Sequence, residues 1–474
     1  MRMWGPIEVF DAREEEMIHR TAMRIMDEVG FLVESDELLA GFARAGAPAD
    51  RQNMLVRFPA RWMEKYLAEC ERFDWATIKP SAGGWAEMFH GRWLDPDRNR
   101  HVPWTVNRLM RHLKVARNLP HISGGFSLTF PIEDVPPAAT PLYIHYLALK
   151  YDGRCGSHVA GPEWAPYVYE MCQAFATEND VAIDRLMGVS VFLTSPLKLA
   201  RGEAEIYSWF MKKDIRVGVG RQCSAGGTAP VTLAGAMALH LAQALFCNIV
   251  SRVFFGLRYL SLDSSISPLD MRTGLYPCAR PEQEMCNVAM AQLARRYGAR
   301  YGGHCGHADA HRPGVEAGFQ KAASCIPTFM ACGRTNIVCG TLSGDAVFSP
   351  IQMIIDDEMV GFLQRFVRGF EVNEETLAFD VIKQVGPGGA FPGAEHTARH
   401  IRREMWEPRI FNRQAFDSWI RSGAKVDTDL ALDIYHDILK RPPVHSHISA
   451  GLESELLDII HRATGVKVAP AEAI

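Results

Sequence analysis

Gly302 to Ser324 reads GGHCGHADAHRPGVEAGFQKAAS and holds the densest set of chemically versatile side chains in the sequence. In an extended segment side chains alternate, so Cys305, His307, Asp309 and His311 would share one face. Thiolate, imidazole and carboxylate are transition-metal ligands, and an open zinc site built from them activates methyl transfer or hydrolysis. With no second cluster beside it, this is a weak pattern for a structural metal site. His307, His311 and Arg312 are equally the donor types that hold a substrate carboxylate. A second segment, GGTAPVTLAGAMALHLAQA from Gly226 to Ala244, places a glycine-rich turn before a helix with almost no polar face. Such a turn either offers backbone N–H groups to a ligand or is a tight loop.

These groups need elements to position them. Asp11 with Glu14 predicts a capping box, and Ile18, Ala22, Ile25 and Met26 recur at helical spacing until Gly30. Further short helices are expected over Asp36–Ala45 and after Pro59, with a polar turn at Asp95–Asn99. From about His121, short apolar or glycine-tipped runs alternate with helices: Ile122–Thr129, Cys155–Ala160, Met187–Thr194, Ile215–Gly220, Arg252–Leu257, Ala299–His304 and Asn336–Thr341. Their starts lie roughly 30 to 45 residues apart, the spacing of repeated βα units. An eighth run is weak; Phe73–Ile78 is one choice. The GVGRQC at Gly218 lacks the rest of a dinucleotide fingerprint. The expectation is therefore a (β/α)8 TIM-type barrel with helical N-terminal and C-terminal extensions. The regions are 1–115, a helical N-terminal part packed on the barrel; 116–350, the main barrel; and 351–474, a helical part with the irregular VGPGGAFPGAEHT loop.

Barrel chemistry sits on the loops after the strands. That selects His158, Glu163, Arg221, Gln222, Arg258, Tyr259, Asp263, the His304–His311 cluster and Asp345. Aromatic faces available there are Phe254, Phe255, Tyr259, Tyr301, Phe348 and Phe391.

The 474 residues carry a formal charge of −4, so no basic field invites nucleic acid or an anionic membrane. The first residues lack the apolar core of a signal peptide. The apolar stretch Val231–Val250 includes Thr232, His240, Gln243 and Asn248 and reads as a core helix. Eleven cysteines without a framework pattern fit reduced thiols in the cytoplasm.

GGTAPVTLAGAMAL resembles the matching segment of the trimethylamine methyltransferase (MttB-like) family. The likeness continues through TSPLKLARGEAE (Thr194–Glu205), SPLDMRTGLYPCARPEQEM (Ser267–Met285), the GGHCGHADAH segment and Glu371–Ile410. It implies transfer of a methyl group from a methylated amine to the cobalt of a separate corrinoid (cobalamin) protein. It also implies that the GHADAH segment and the GPGGAFPGAEHT loop, with Phe391 and His396, surround the cavity. The methanogen trimethylamine enzymes carry pyrrolysine, and this chain has only standard residues. It resembles the non-pyrrolysine branch that demethylates quaternary amines, with glycine betaine as the favoured substrate. A quaternary ammonium leaves as a neutral tertiary amine, so no Lewis acid is required, and no metal of its own is expected. The expected substrate-binding set is His307, Asp309, His311, Arg312, Phe255, Arg258, Tyr259, Tyr301, Phe348, Phe391 and His396. A homo-oligomer is expected. Two other readings stay open: a zinc-dependent barrel methyltransferase or hydrolase using GGHCGHADAH, and a non-catalytic betaine-binding barrel.

Overall fold

Asp11 opens the first helix, Ala12–Arg24, through the expected capping box. Its carboxylate accepts the Glu14 N–H, and the Glu14 side chain accepts the Asp11 N–H. A π-turn, Ile25–Val29, carries the chain to Gly30, whose φ of +80° ends the run. The computed structural model describes residues 3–88, 91–126, 131–156 and 158–474. Helices Asp36–Arg44 and Ala60–Ala68 follow, and the N-terminal region also holds strands. Phe31–Val33 pairs antiparallel with Leu55–Val56, and Arg92–Asp95 pairs antiparallel with Arg100–Val102. The Asp95–Asn99 turn closes that hairpin, with the Asp95 carboxylate accepting the N–H groups of Asp97 and Arg98 at 3.0 Å each.

Parallel strands and helices then alternate. Ser81–Met88 pairs with Ile122–Phe126, Ser190–Phe192 with Gly218–Gly220, and Ser261–Ser264 with Arg300–Gly303. His158 bridges to Ser190, and Cys223–Ala225 pairs with Ile266–Pro268. Arg334–Cys339, late in the series, lies parallel against Ser81–Met88, its first strand. Helices Thr140–Asp152, Ala165–Asn179, Arg201–Met211, Leu233–Phe255, Pro281–Tyr297, Val315–Cys332 and Pro350–Arg368 fill the intervals. The architecture is mixed α/β; the pairings just named are parallel, while Thr341–Leu342 forms an antiparallel pair with Val347–Phe348. Residues 127–129 of the Ile122–Thr129 run and Ser157 of the Cys155–Ala160 run lie outside the described residues.

Two strand expectations shift. Phe73–Ile78 forms a single 3-10 turn at Trp75–Thr77; the extra strand is Ser81–Met88, reading SAGGWAEM. Its glycines conceal it from an apolar pattern, yet packing requires them: a Cβ on Gly84 would lie 2.9 Å from Cys339 Sγ and 3.0 Å from the His121 carbonyl oxygen. Arg252–Leu257 is not a strand. The Leu233–Phe255 helix runs through it to Gly256, which turns left-handed at φ +69°. The strand begins only at Ser261.

Leu233–Phe255 has a mean hydropathy of 1.6 and its apolar window is 78% buried inside the molecule, so it is a core helix. Thr232 stands at its N-cap without a side-chain bond, and Pro230 lies outside the helix. The preceding turn is closed on itself. Gly227, Thr228 and Ala229 all donate to the Ser224 carbonyl, Gly226 donates to that of Ala229, and the Thr228 hydroxyl accepts the Ser224 N–H. These amides are satisfied within the turn and form no ligand cradle.

After Arg368 the chain is mainly helical. Asp427–Leu439 packs on Pro350–Arg368, and Ala450–Thr464 on Ala165–Asn179. The loop between Val385 and Glu395 is irregular and largely exposed.

Candidate functional site

Strand alternation turns one set of side chains toward the helices and leaves the other facing the strands' opposite side. On Ser190–Phe192, Val191 is fully buried, whereas Phe192 is 46% exposed although its strand is central. Its ring lies over Gly220, where a Cβ would come within 2.4 Å of it. Gly218, Ser261, Gly302, Asn336 and Ser123 on other strands are also accessible. Small residues on this face leave space where larger ones would fill it. Asp263, in register with Gly302, is surrounded by protein yet keeps 36% of its side chain accessible.

Two charged clusters stand at the ends of these strands. In the first, Asp263 forms an ion pair with Arg221 at 3.1 Å and a hydrogen bond with His240 Nε2 at 2.9 Å. Burial opposes its charge, but Arg221 and the His240 bond outweigh burial and hold its pKa at about 2. In the second, His307 Nδ1 meets Asp345 at 3.0 Å. Burial works against the His307 cation, yet Asp345 prevails and its pKa is raised; that of Asp345 is lowered by the same pairing against burial. The His304 ring stacks on His307 at 4.3 Å and 15°. Burial, and then the His307 charge, depress the His304 pKa to about 3, so its ring is neutral. Gln283 Nε2 donates to His304 Nδ1 at 2.7 Å, and Asn287 bonds both its N–H and its carbonyl.

The single-face arrangement expected for Cys305, His307, Asp309 and His311 does not form. Gly306 at φ +81° breaks the alternation, and a Cβ there would lie 2.4 Å from the Asn336 carbonyl oxygen. Cys305 therefore turns toward the Thr335 hydroxyl, at 3.5 Å. Asp309 spends both oxygens on backbone, accepting Cys278 N–H at 2.7 Å and Ala279 N–H at 3.2 Å. His311 is exposed and bonds Ser343, and Arg312 is exposed and bonds Asn99 at the hairpin tip. Of the four, His307 alone joins Asp345. Among the described residues, Cys278, His307 and Asp345 form the group whose possible ligand atoms lie within 4.8 Å of one another.

The remaining expected site residues lie elsewhere. Phe255 ends a helix and packs on Tyr207, with ring centres 5.8 Å apart. Arg258 donates to the Glu69 carbonyl and Tyr259 stacks under Arg300 at 4.5 Å, both before the Ser261–Ser264 strand and so at its amino end. Tyr301 turns toward the helices and donates to the Asn287 carbonyl at 2.7 Å. Phe348 is buried against Trp104 and His112. Phe391 is 45% exposed in the C-terminal loop, and His396 stacks on His400 at 4.3 Å. Glu163 sits in the Pro162–Trp164 turn. The displacement of Phe255, Arg258 and Tyr259 follows from one cause: the apolar run before Gly256 is helix, which reverses the end of the fold they occupy. Phe192, His240 and Cys278 escaped sequence reasoning. Phe192 lay inside a recognised strand run, so alternation across Ser190–Phe192 was the signal available for it.

A separate apolar groove of about 690 Å³ lies between the Leu233–Phe255, Pro281–Tyr297 and Val315–Cys332 helices, with Met237, Met285 and Phe319 in its wall.

The family model described as trimethylamine methyltransferase (MTTB) matches residues 1–466. Glycine betaine methyltransferase of Desulfitobacterium hafniense (strain Y51) is 27% identical over 427 residues, covering 86% of this chain and 87% of that one. Trimethylamine methyltransferase MttB of D. hafniense (strain DSM 10664 / DCB-2) is 24% identical, covering 94% and 92%. MttB of Methanosarcina barkeri is 28% identical, covering 96% and 95%. The solved monomethylamine methyltransferase (MtmB) of M. barkeri is 11% identical with a TM-score of 0.44, covering 94% and 92%. With a match that leaves only the last residues of the chain outside it, the protein belongs to the trimethylamine methyltransferase family.

Proposed function

We propose that this chain is a cytoplasmic methyltransferase that moves a methyl group from a quaternary amine, with glycine betaine the favoured substrate, to cob(I)alamin carried by a separate corrinoid protein. The strands Ser81–Met88, Ile122–Phe126, the His158 segment, Ser190–Phe192, Gly218–Gly220, Ser261–Ser264, Arg300–Gly303 and Arg334–Cys339 would close as one (β/α)8 barrel in that order. The parallel pairing of the last strand with the first supports closure. The observation that carries the reading is the accessible strand face, where the open ring of Phe192 and the ionised Asp263 stand with the accessible Gly218, Gly302 and Ser123.

A quaternary ammonium offers no N–H donor, so an aromatic face and a carboxylate are what recognise it. Phe192 supplies the face. Asp263 supplies negative charge, fixed in place by Arg221 and His240. The corrinoid supplies a strong nucleophile for the methyl carbon. The chain's task is to hold that carbon in line with the breaking C–N bond and to keep water from it. No proton moves, because the departing amine is neutral.

A homo-oligomer is part of the same proposal. Between Phe370 and Val426 the exposed apolar side chains include Phe379 at 68%, Met405 at 64% and Phe416 at 71%, more than a monomer's surface ordinarily shows in one stretch.

The test is methyl transfer from glycine betaine to free cob(I)alamin by the purified chain, with trimethylamine as the comparison. Methylcobalamin formed from betaine and not from trimethylamine is the expected result. Turnover of trimethylamine alone, or of neither with betaine unbound in calorimetry, refutes the reading.

A further inference from the structure

We propose that Cys278, His307 and Asp345 form a zinc site with one open coordination position, and that this position takes an anionic oxygen of the substrate. This reverses the expectation of no metal. That expectation rested on the Cys305–His311 pattern and on a leaving amine that needs no Lewis acid; Cys278 lies far from that segment in sequence, and the metal proposed here holds a substrate oxygen rather than activating the leaving amine.

The three ligands come from three separate loops: one before the Pro281–Tyr297 helix, one after Arg300–Gly303, and one after Arg334–Cys339. Their ligand atoms lie within 4.8 Å of one another, and His307 Nδ1 is 3.0 Å from Asp345. A tetrahedral zinc bound at the usual lengths sets its ligand atoms about 3.3 to 3.7 Å apart, so small side-chain adjustments complete the geometry. One sulfur, one nitrogen and one carboxylate oxygen are the donor types of zinc sites that keep a fourth place for water or substrate.

The surroundings hold the ligands as outer partners of a metal site do. Asp309 accepts the backbone N–H of Cys278 itself at 2.7 Å, fixing the segment that carries the thiol. His304 stacks flat on the His307 ring. Ser343, Gly344 and Asp345 are three consecutive left-handed residues, with φ of +59°, +58° and +66°. Two of them are not glycine, a costly conformation for ordinary side chains. Backbone bonds from Ser343 to Ala310 at 2.9 Å and from Gly344 to Ala308 at 3.0 Å hold that loop against the His307 segment. Among the described residues, the thiol's hydrogen-bond partner is the Tyr276 carbonyl, at 4.0 Å.

Binding places the lone pair of His307 Nδ1 on the metal; the Nδ1 proton that faces Asp345 and the Cys278 thiol proton leave to solvent, and the other ring proton stays on Nε2. Thiolate and carboxylate then balance the divalent charge, and the open position accepts a neutral or anionic oxygen. The role of that oxygen as a betaine carboxylate rests on the proposed function; the metal site does not.

The experiment is titration of the chelator-treated, full-length protein with Co²⁺, read by the absorption of a thiolate–cobalt bond, then displacement by Zn²⁺. One equivalent should bind and give the band. Cys278→Ser should abolish the band, and Asp345→Asn should weaken binding at least tenfold while circular dichroism stays native. Cys172→Ser, in the distant Ala165–Asn179 helix, should change nothing. If the Cys278 variant does not fold, the Asp345 variant carries the test. Absence of a stoichiometric band, or a band unchanged in the folded variants, overturns the site. Glycine betaine should alter the cobalt spectrum. An unaltered spectrum with betaine bound removes the substrate role, and a metal that binds where betaine does not leaves the site standing while removing the proposed substrate.

Discussion

Lys321→Met would strip the cation from a fully buried ion pair that anchors the base of the Asp345 loop. Lys321 Nζ lies 2.6 Å from Asp356, and neither side chain is accessible to solvent. The ammonium also donates to the Val338 carbonyl at 2.7 Å. Asp356 in turn accepts the Gly340 N–H at 2.7 Å and Gln352 Nε2 at 2.8 Å. The pair therefore clamps the chain where it leaves Arg334–Cys339 toward Asp345. Removing one partner of such a pair costs about 3–5 kcal/mol, because the remaining charge stays buried. Methionine keeps most of the side-chain volume, so a cavity adds little. Burial already raises the Asp356 pKa, against the opposing pull of Lys321 and its hydrogen bonds. A carboxyl raised in the folded state binds its proton there more tightly than in the unfolded chain, so its ionisation lowers stability as pH rises. Without Lys321 the rise is larger. The variant's penalty should be full at pH 8 and shrink toward pH 5, as Asp356 takes up a proton. Urea unfolding midpoints of both proteins across that range measure it. Lys321→Met with Asp356→Asn should recover about 1–3 kcal/mol at pH 8, since the buried charge is gone while an amide oxygen still accepts. A penalty independent of pH, or no recovery in the double variant, would refute the reasoning.

Phe192→Ala should weaken glycine betaine binding by about 0.5–2 kcal/mol in calorimetry, the loss of one cation–π face, while Tyr259→Ala leaves it unchanged. Equal effects in the two variants would place the cation elsewhere. Gly306→Ala should lower thermal stability by about 1–3 kcal/mol, because φ +81° and the 2.4 Å approach to the Asn336 carbonyl both exclude a Cβ. An unshifted melting curve would contradict the geometry. Phe416→Glu, at a position 71% exposed, should reduce the molar mass found by light scattering; a wild-type monomer would remove the oligomer from the proposal.

Local rules read directly from the sequence wherever the partners are a few residues apart. Asp11 with Glu14, the stop at Gly30, the turn at Asp95–Asn99 and the βα alternation all depend on hydrogen bonds or periodicities within a short window. The family was legible too, because its segments keep their order along the chain. Ser81–Met88 was not, since its glycines answer to Cys339 and His121 across the sheet rather than to their neighbours. The end of Leu233–Phe255 misled for a related reason: an apolar run continues a buried helix as readily as it makes a strand, and Gly256 marks the stop only after the fact.

The functional cluster shows the same division. The sequence by itself determined that the Gly302–Arg312 segment was rich in ligating groups, and it singled out His307, Asp263 and Asp345. Tertiary structure alone decided which of them meet. Gly306 scattered Cys305, His307, Asp309 and His311 to four different partners, and Cys278 reached His307 from another loop. Side-chain types are written in the chain, but the distance between groups on separate loops is fixed by the packing of the strands and helices that carry them.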